Sequence, residues 1–256
     1  MDQVTLSTGT QSAIRALQQT DRVQSTNQQE LATGRKDPRS DVIAELISRA
    51  LNDQAADLAS TKDETNSALN TIQAADNGLD AIEESLKLAR SVAEQYQNTS
   101  DPAEQARLQE QFDTIASQID ALAADSRGVN GSLIASDAQD MTVSYGSASD
   151  GSLTVAASPS DSASLGLTLS VDSVDAALAQ VRDTRQTLDS AASTLAERNN
   201  FTDAMQNNLE EGAADLVETD LNEDAAQALS LQTRDRLGVA SLAMAAESNR
   251  AVLQLF

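Results

Sequence analysis

Apolar residues return at steps of three and four from the start of the chain. Leu6, Ala13, Leu17 and Leu31 share one face, with Thr10, Thr20, Gln24 and Asn27 in the same stripe and Ile14 and Val23 beside it. That period predicts a helix over residues 3–33. Its stripe is narrow and Gln-rich, so the helix is marginal alone and needs a partner to order it. Gly34 is placed to stop it, and Asp37-Pro38 breaks the chain. Residues 40–97 carry the strongest pattern. The a positions are Thr65, Ile72, Leu79, Leu86 and Ala93; the d positions are Ala68, Ala75, Ile82, Ala89 and Tyr96. Backwards the frame catches Leu58, Leu51 and Ile47. Large residues alternating with small ones suit a closely packed antiparallel bundle. Asp101-Pro102-Ala103-Glu104 then reads as a capping box with proline at N1. The helix it opens carries Leu108, Phe112, Ile115, Ile119 and Leu122 and ends at Arg127-Gly128.

The period changes to two between residues 129 and 171. Met141, Val143 and Tyr145 alternate with polar residues, as do Leu153 and Val155, then Leu165, Leu167, Leu169 and Val171. These runs predict strands, with Asp150-Gly151 in a hairpin turn. A long helix resumes at Asp172 on Val174, Leu178, Val181, Leu188, Ala192 and Leu195, with Asn199-Asn200 and Gly212 as candidate breaks or bends. A last helix covers 220–252. From Leu237 to Phe256 only Glu247 and Arg250 are charged, which predicts burial all round. The fold class is mainly α: a long antiparallel helical hairpin, or coiled-coil rod, with a small β-hairpin element in mid-chain.

Composition sharpens this. The 256 residues suffice for one large domain or two small ones. Alanine dominates, and there are only 3 Phe, 2 Tyr and no Trp, so long thin helices are favoured over a thick core. No His and no Cys are present, which excludes Ser–His–Asp and Cys–His catalysis, removes the usual zinc and haem ligands, and forbids disulfides. The net charge of −23 argues against a nucleic-acid partner, because phosphate neutralisation needs a basic face. The charge is uneven: residues 1–39 carry +1, residues 215–256 carry −4 and the middle carries −20. No run of 18 apolar residues predicts a membrane span, and the first residues lack the basic and apolar regions of a cleaved signal peptide.

Candidate chemistry is thin. Asp220-Leu221-Asn222-Glu223-Asp224 mimics the opening of a calcium loop, but Ala225 stands where Gly is required and Leu231 where the closing Glu belongs. It reads as an acidic helix start. Glu83-Glu84 and Glu210-Glu211 are adjacent on helices and do not face each other. Gly34-Arg35-Lys36 lacks the spacing of a phosphate loop. The Asn-x-Ser/Thr triplets at Asn98, Asn130 and Asn200 are expected by chance in this composition. No cofactor, metal or catalytic residue is expected, and the chain reads as a non-enzyme.

The ends carry a family resemblance. Leu31-Ala32-Thr33-Gly34-Arg35-Lys36 is similar to the motif that ends the first helix of bacterial flagellins, and Val129-Asn130-Gly131 to their F-N-G, with Val for Phe. Asp215-Leu216-Val217-Glu218-Thr219-Asp220-Leu221 resembles their (N/D)-L-V-(D/E)-A-D-L. Ser230-Leu231-Gln232-Thr233-Arg234-Asp235-Arg236-Leu237-Gly238-Val239 and the ending Leu253-Gln254-Leu255-Phe256 resemble alphaproteobacterial members of short form. Two stretches depart from the family: Asp37-Pro38-Arg39-Ser40-Asp41 only loosely echoes S-A-(K/R)-D-D. Along Leu86–Gln95, which aligns with the innate-receptor segment of enteric flagellins, Arg90 is kept but Ser91 replaces Glu.

The resemblance implies a structural subunit that polymerises into the flagellar filament for swimming, extracellular and secreted without a cleaved signal. Residues 1–38 with 215–256 would form the inner filament core, 39–128 with 172–214 the helical rod, and 129–171 the small outer element. The implied polymerisation interface is Leu6, Ile14, Leu17, Leu31, Leu229, Leu237, Val239, Leu242, Leu253, Leu255 and Phe256. The implied partners are further copies, sister flagellins, the flagellar type III export machinery with an export chaperone, and the hook-associated cap and junction proteins; neither nucleic acid nor membrane is among them. Two alternatives stay open. Gln28-Gln29-Glu30-Leu31-Ala32-Thr33-Gly34-Arg35 also resembles the hook–filament junction protein, and a soluble coiled-coil scaffold would share the periodicity.

Overall fold

The computed structural model describes residues 8–144 and 151–253, with side-chain environments for 10–144 and 151–247. In order the elements are α1 (Thr8–Thr33), α2 (Val42–Asn98), α3 (Pro102–Asp125), β1 (Met141–Ser144), β2 (Ser152–Val155), α4 (Val171–Val217) and α5 (Leu221–Leu253). They divide into two compact units: Met1–Asn52 with Leu209–Phe256, and Asp53–Asn208.

The second unit holds the main core. Its seam is the heptad read from the sequence: all five a residues and four of the five d residues of α2 are buried, with Tyr96 half-buried. Phe112 and Ile119 of α3 and Val174, Val181, Leu188 and Leu195 of α4 close on it, and Leu108 of α3 is buried as well. Alanines at 68, 75, 89 and 93 keep the facing backbones close. The core is capped by the hairpin, in which Met141 faces Val155 and Val143 faces Leu153 across an antiparallel pair. Met141, Val143 and Val155 point inward, while the hydroxyls of Thr142 and Thr154 meet outside at 3.3 Å. Tyr145 and the expected turn at Asp150 lie outside the described residues.

Three local expectations are corrected. The capping box is half made: the Asp101 carboxylate accepts from the Ala103 amide at 3.0 Å, but Glu104 turns to Arg107, and the Asp101 amide donates to Thr99 Oγ1 instead. Leu165–Val171 is not a strand. Gly166, at φ 63°, turns the chain left-handed, and the Leu165 and Leu167 amides donate back to the Asp161 and Ser162 carbonyls. The period of two arises because a compact turn brings Leu165, Leu167 and Leu169 against the core in succession. The Asn199-Asn200 pair and Gly212 do not break α4. The Asn199 amide is taken up by Asn66 Oδ1 at 2.7 Å, and a single glycine costs a helix only about 1 kcal/mol.

Ion pairs line the two long helices of this unit. Arg185 reaches Asp76 at 3.0 Å, Asp80 at 2.7 Å and Glu83 at 3.4 Å, and Arg182 reaches Glu83 at 2.9 Å. The hydrogen bond from Arg182 holds the Glu83 carboxyl below its ordinary range, against an opposing effect of burial.

Two glycines make a test. A Cβ on Gly128 would run into the backbone of Thr71, which α2 cannot move, whereas one on Gly212 would meet only Leu51 Cδ1 at 3.8 Å. Gly128→Ala is therefore expected to destabilise the second unit by about 1–3 kcal/mol, as overpacking does. Gly212→Ala should stabilise its helix by about 0.5–1 kcal/mol. Urea denaturation of the two variants should move midpoints in opposite directions; a common direction would refute the packing account.

Candidate functional site

In the first unit α1 and α5 pair along heptad faces. On α1 the covered positions are Thr10, Ala13, Leu17, Thr20, Gln24, Asn27 and Leu31; on α5 they are Asp224, Ala228, Leu231, Asp235, Gly238, Leu242 and Ala245. The helices run antiparallel, because Asn27 meets Asp224 whereas Leu17 meets Gly238. A Cβ at Gly238 would stand 2.7 Å from Leu17 Cδ2, so the missing side chain is what lets Leu17 seat. The seam buries little: among the described residues its only large apolar side chain under a tenth exposed is Leu231. Below it, Ser48 Oγ donates to the Ala213 carbonyl at 2.8 Å and joins the first turns of α2 to the last turns of α4.

The outward faces are unusual. Among the described residues, ten of thirteen exposed large apolar side chains belong to this unit, although it is the smaller by residue count. On α5 they are Leu221, Leu229, Leu237, Val239 and Met244, with Leu229 67% and Leu237 65% exposed. On α2 they are Val42, Ile43, Leu46 and Ile47, and Val23 lies on α1. Apolar surface concentrated in this way marks an association surface.

The expected interface residues separate accordingly. Ile14, Leu17, Leu31 and Leu242 are half-buried in or beside the α1–α5 seam, whereas Leu229, Leu237 and Val239 face outward. Leu6, Leu255 and Phe256 lie outside the described residues, as does the side chain of Leu253. The expectation that residues 237–256 are buried all round is corrected for the described part of the isolated chain: α5 has one helix partner and therefore one covered face. Ile47, assigned to the buried heptad, is 45% exposed: the first turns of α2 contact α4 through Ser48, and Ile47 faces away. The patch Val42–Ile47 is absent from the expected interface. Its signal is plain in Val42-Ile43-Ala44-Glu45-Leu46-Ile47, which is too apolar for a helix with one polar neighbour.

The calcium-like stretch is a helix cap. Asp220 Oδ1 accepts from the Asn222 and Glu223 amides at 2.8 and 3.2 Å, and Asp224 turns inward to the Thr219 hydroxyl. Among the described residues no group of three or more acidic side chains is placed to hold a metal ion, and no helix is long and apolar enough to cross a membrane.

No family model matches the chain. Flagellin FljK of Caulobacter vibrioides is 28% identical over 272 aligned residues, covering 100% of this chain and 99% of its own. Flagellin FljM of the same organism is 29% identical over 90% of this chain and 89% of its own. Along its whole length the chain is similar to flagellins. A flagellin of Brucella melitensis adds 33% identity over 99 residues, 39% of this chain and 34% of its own. The chain is accordingly a structural subunit of the bacterial flagellar filament, extracellular and self-polymerising, and not an enzyme. End-to-end likeness to flagellins supports the filament subunit over the junction-protein and scaffold alternatives.

Proposed function

We propose that the terminal helices form the inner layer of the filament, with residues 1–38 and 215–256 as its core, 39–128 and 172–214 as the surrounding rod, and 129–171 as a small outer element. The observation that carries this is the crowding of exposed apolar side chains onto α5 and the start of α2. In a polymer each copy offers the same rows to its neighbours, and a fully buried Leu, Ile or Val contributes about 1.5–3 kcal/mol per copy. The interface comprises Leu229, Leu237 and Val239 outside the seam, joined by Leu6, Leu253, Leu255 and Phe256. Ile14, Leu17, Leu31 and Leu242 shape the helix pair that presents them. Val42, Ile43, Leu46 and Ile47 extend it. Negative-stain electron microscopy of concentrated protein, before and after charge is introduced at Leu46, tests the assignment.

The finer partners follow from this role. The subunit leaves the cell through the flagellar type III machinery, without a cleaved leader and escorted by an export chaperone that covers the apolar end. It meets the junction proteins at the base, the cap at the tip, and sister flagellins along the filament. Deletion of a flagellar export component should leave the protein inside the cell at its full mass.

Salt gives a further test. The middle of the chain carries −20, and these charges face solvent when the ends are packed. Exposed charges are screened within about 8 Å at physiological ionic strength. The critical concentration, measured by sedimentation, should fall as sodium chloride rises; a rise would show that ion pairs between copies dominate. Acid is a poorer probe. The depressed pKa of Glu83 means its paired carboxylate stabilises the fold above its unfolded pKa and loses that contribution as pH falls through the folded one. Protonation therefore weakens the subunit as well as relieving repulsion.

A further inference from the structure

The α1–α5 seam changes character near its loop end. Asn27 is 2% exposed and Asp224 7% exposed, more buried than Gln24 and Asp235, the other amide and carboxylate of the seam, which are half-buried. Asn27 Nδ2 donates to the Asp224 carbonyl at 3.1 Å, and Asp224 Oδ2 accepts from Thr219 Oγ1 at 2.6 Å. The two loops are stitched beside them. The Thr219 amide donates to the Gly34 carbonyl at 3.2 Å, the Lys36 amide donates to the Val217 carbonyl at 2.8 Å, and Arg35 pairs with Glu218 as an isolated antiparallel bridge. Asn27 Oδ1 is buried with no partner among the described residues.

Stability alone does not account for an amide here. Leucine at position 27 would add apolar burial to a seam that has little, and it would remove an unsatisfied acceptor. A buried polar residue at one seam position is best attested as a device that fixes register. This seam needs one. A slide of one heptad would place Ala245 under Leu17 in place of Gly238, which crowds that one contact, while most of the other covered side chains are small or polar and discriminate little between the two alignments.

We infer that Asn27, Asp224 and Thr219 are register-determining residues that hold α1 and α5 in one alignment against slippage by a heptad. Apart from the Leu17–Gly238 contact, the apolar seam supplies attraction without choosing the alignment; the polar clasp chooses it, because a slide separates the Asn27 amide from its carbonyl. In a helical polymer the consequence is large. The outward rows of α5 stand at fixed heights only if every copy has the same register, and copies with shifted rows cannot share one lattice. The inference rests on the reading of α1 and α5 as the assembly helices, but its test does not need a filament.

The chain has no cysteine, so engineered pairs report cleanly. Leu17→Cys with Gly238→Cys reports the native register; the shorter side chain introduced at position 17 vacates the space that a Cβ at 238 needs. Leu17→Cys with Ala245→Cys reports the slipped register. Each pair is oxidised in dilute, sedimentation-cleared monomer, with and without Asn27→Leu/Asp224→Leu, and intrachain disulfide is followed by gel mobility. With the clasp intact the native pair should close and the slipped pair should be roughly tenfold slower, the ratio for a register penalty of about 1.4 kcal/mol. With the apolar substitutions the slipped pair should close at a comparable rate. Native closure alone in the substituted chain would overturn the inference. So would loss of both disulfides together with loss of helix by circular dichroism, because the clasp would then hold the helices together without choosing their alignment. If register proves clasp-dependent yet no filaments form under any condition, the assembly role fails and the register assignment stands.

Discussion

Leu237→Asp is expected to abolish filaments while leaving the monomer folded. Leu237 lies outside the α1–α5 seam and is 65% exposed in the isolated chain, so the monomer loses no packing. A surface substitution of this kind stays within about 0.5 kcal/mol of neutral for folding. On the proposed assembly the same position is covered in the filament. Loss of the leucine alone forfeits about 1.5–3 kcal/mol for each copy, which raises the critical concentration roughly 10- to 100-fold. The carboxylate adds a desolvation penalty of several kcal/mol. Sedimentation should find no pellet at concentrations where the parent protein polymerises fully, with unchanged circular dichroism and thermal midpoint. A normal pellet from this variant would remove Leu237 from the interface.

Gly238→Val acts on the other face of the same helix and should have the opposite signature. A Cβ at this position stands 2.7 Å from Leu17 Cδ2, and branching at that carbon leaves no rotamer clear of it. Overpacking costs about 1–3 kcal/mol, a large fraction of what so thin a seam supplies. The variant should lose the α1–α5 pair in the monomer, with trypsin trimming it to a resistant fragment spanning about residues 40–210, while the second unit unfolds at its usual temperature. Leu17→Ala should restore part of the pairing, a positive coupling in a double-mutant cycle. Without rescue, Gly238 acts through helix propensity and not through its contact with Leu17.

The contrast between these two residues shows what was legible in the sequence. Periodicity alone gave the seam of the second unit, from Thr65 to Ala93, because that seam is buried within one chain and large apolar residues fall on it at every turn. The strand pair was legible for a similar reason: Met141, Val143 and Val155 are buried by their own chain. Leu165, Leu167 and Leu169 misled because alternation describes burial, and a left-handed turn at Gly166 meets the core with the same rhythm as a strand. Asn199 looked like a helix breaker because its partner, Asn66, is 133 residues away in sequence.

Around α5 the limits were different. The composition of residues 237–256 shows that they must be covered, but not by what. Among the described residues of α5 only the heptad face through Leu231, Gly238 and Leu242 is covered, and on the proposed assembly the exposed apolar ones are left to neighbours. The apolar run Val42–Ile47 is visible in the sequence, but the heptad frame absorbs Ile47 and Leu51 into one continuous seam and so masks its outward face. In space that seam ends before the first turns of α2, where Ser48 and Ala213 make the contact and Ile43 is 72% exposed. Asn27 and Asp224 read as members of a polar stripe and an acidic helix start; that they meet depends on a pairing between the two ends of the chain.

The central claim is that the outward faces of α5, of α1 and of the first turns of α2 become buried when copies assemble. Amide hydrogen exchange, followed by mass spectrometry on the same protein as dilute monomer and as sedimented polymer, tests it most directly. Peptides covering 8–52 and 209–253 should gain protection by orders of magnitude on polymerisation, whereas the core amides around Leu79, Ile82 and Leu188 should exchange slowly in both states. Protection gained only within residues 53–208, with the terminal helices exchanging as fast in the polymer as in the monomer, would contradict the account.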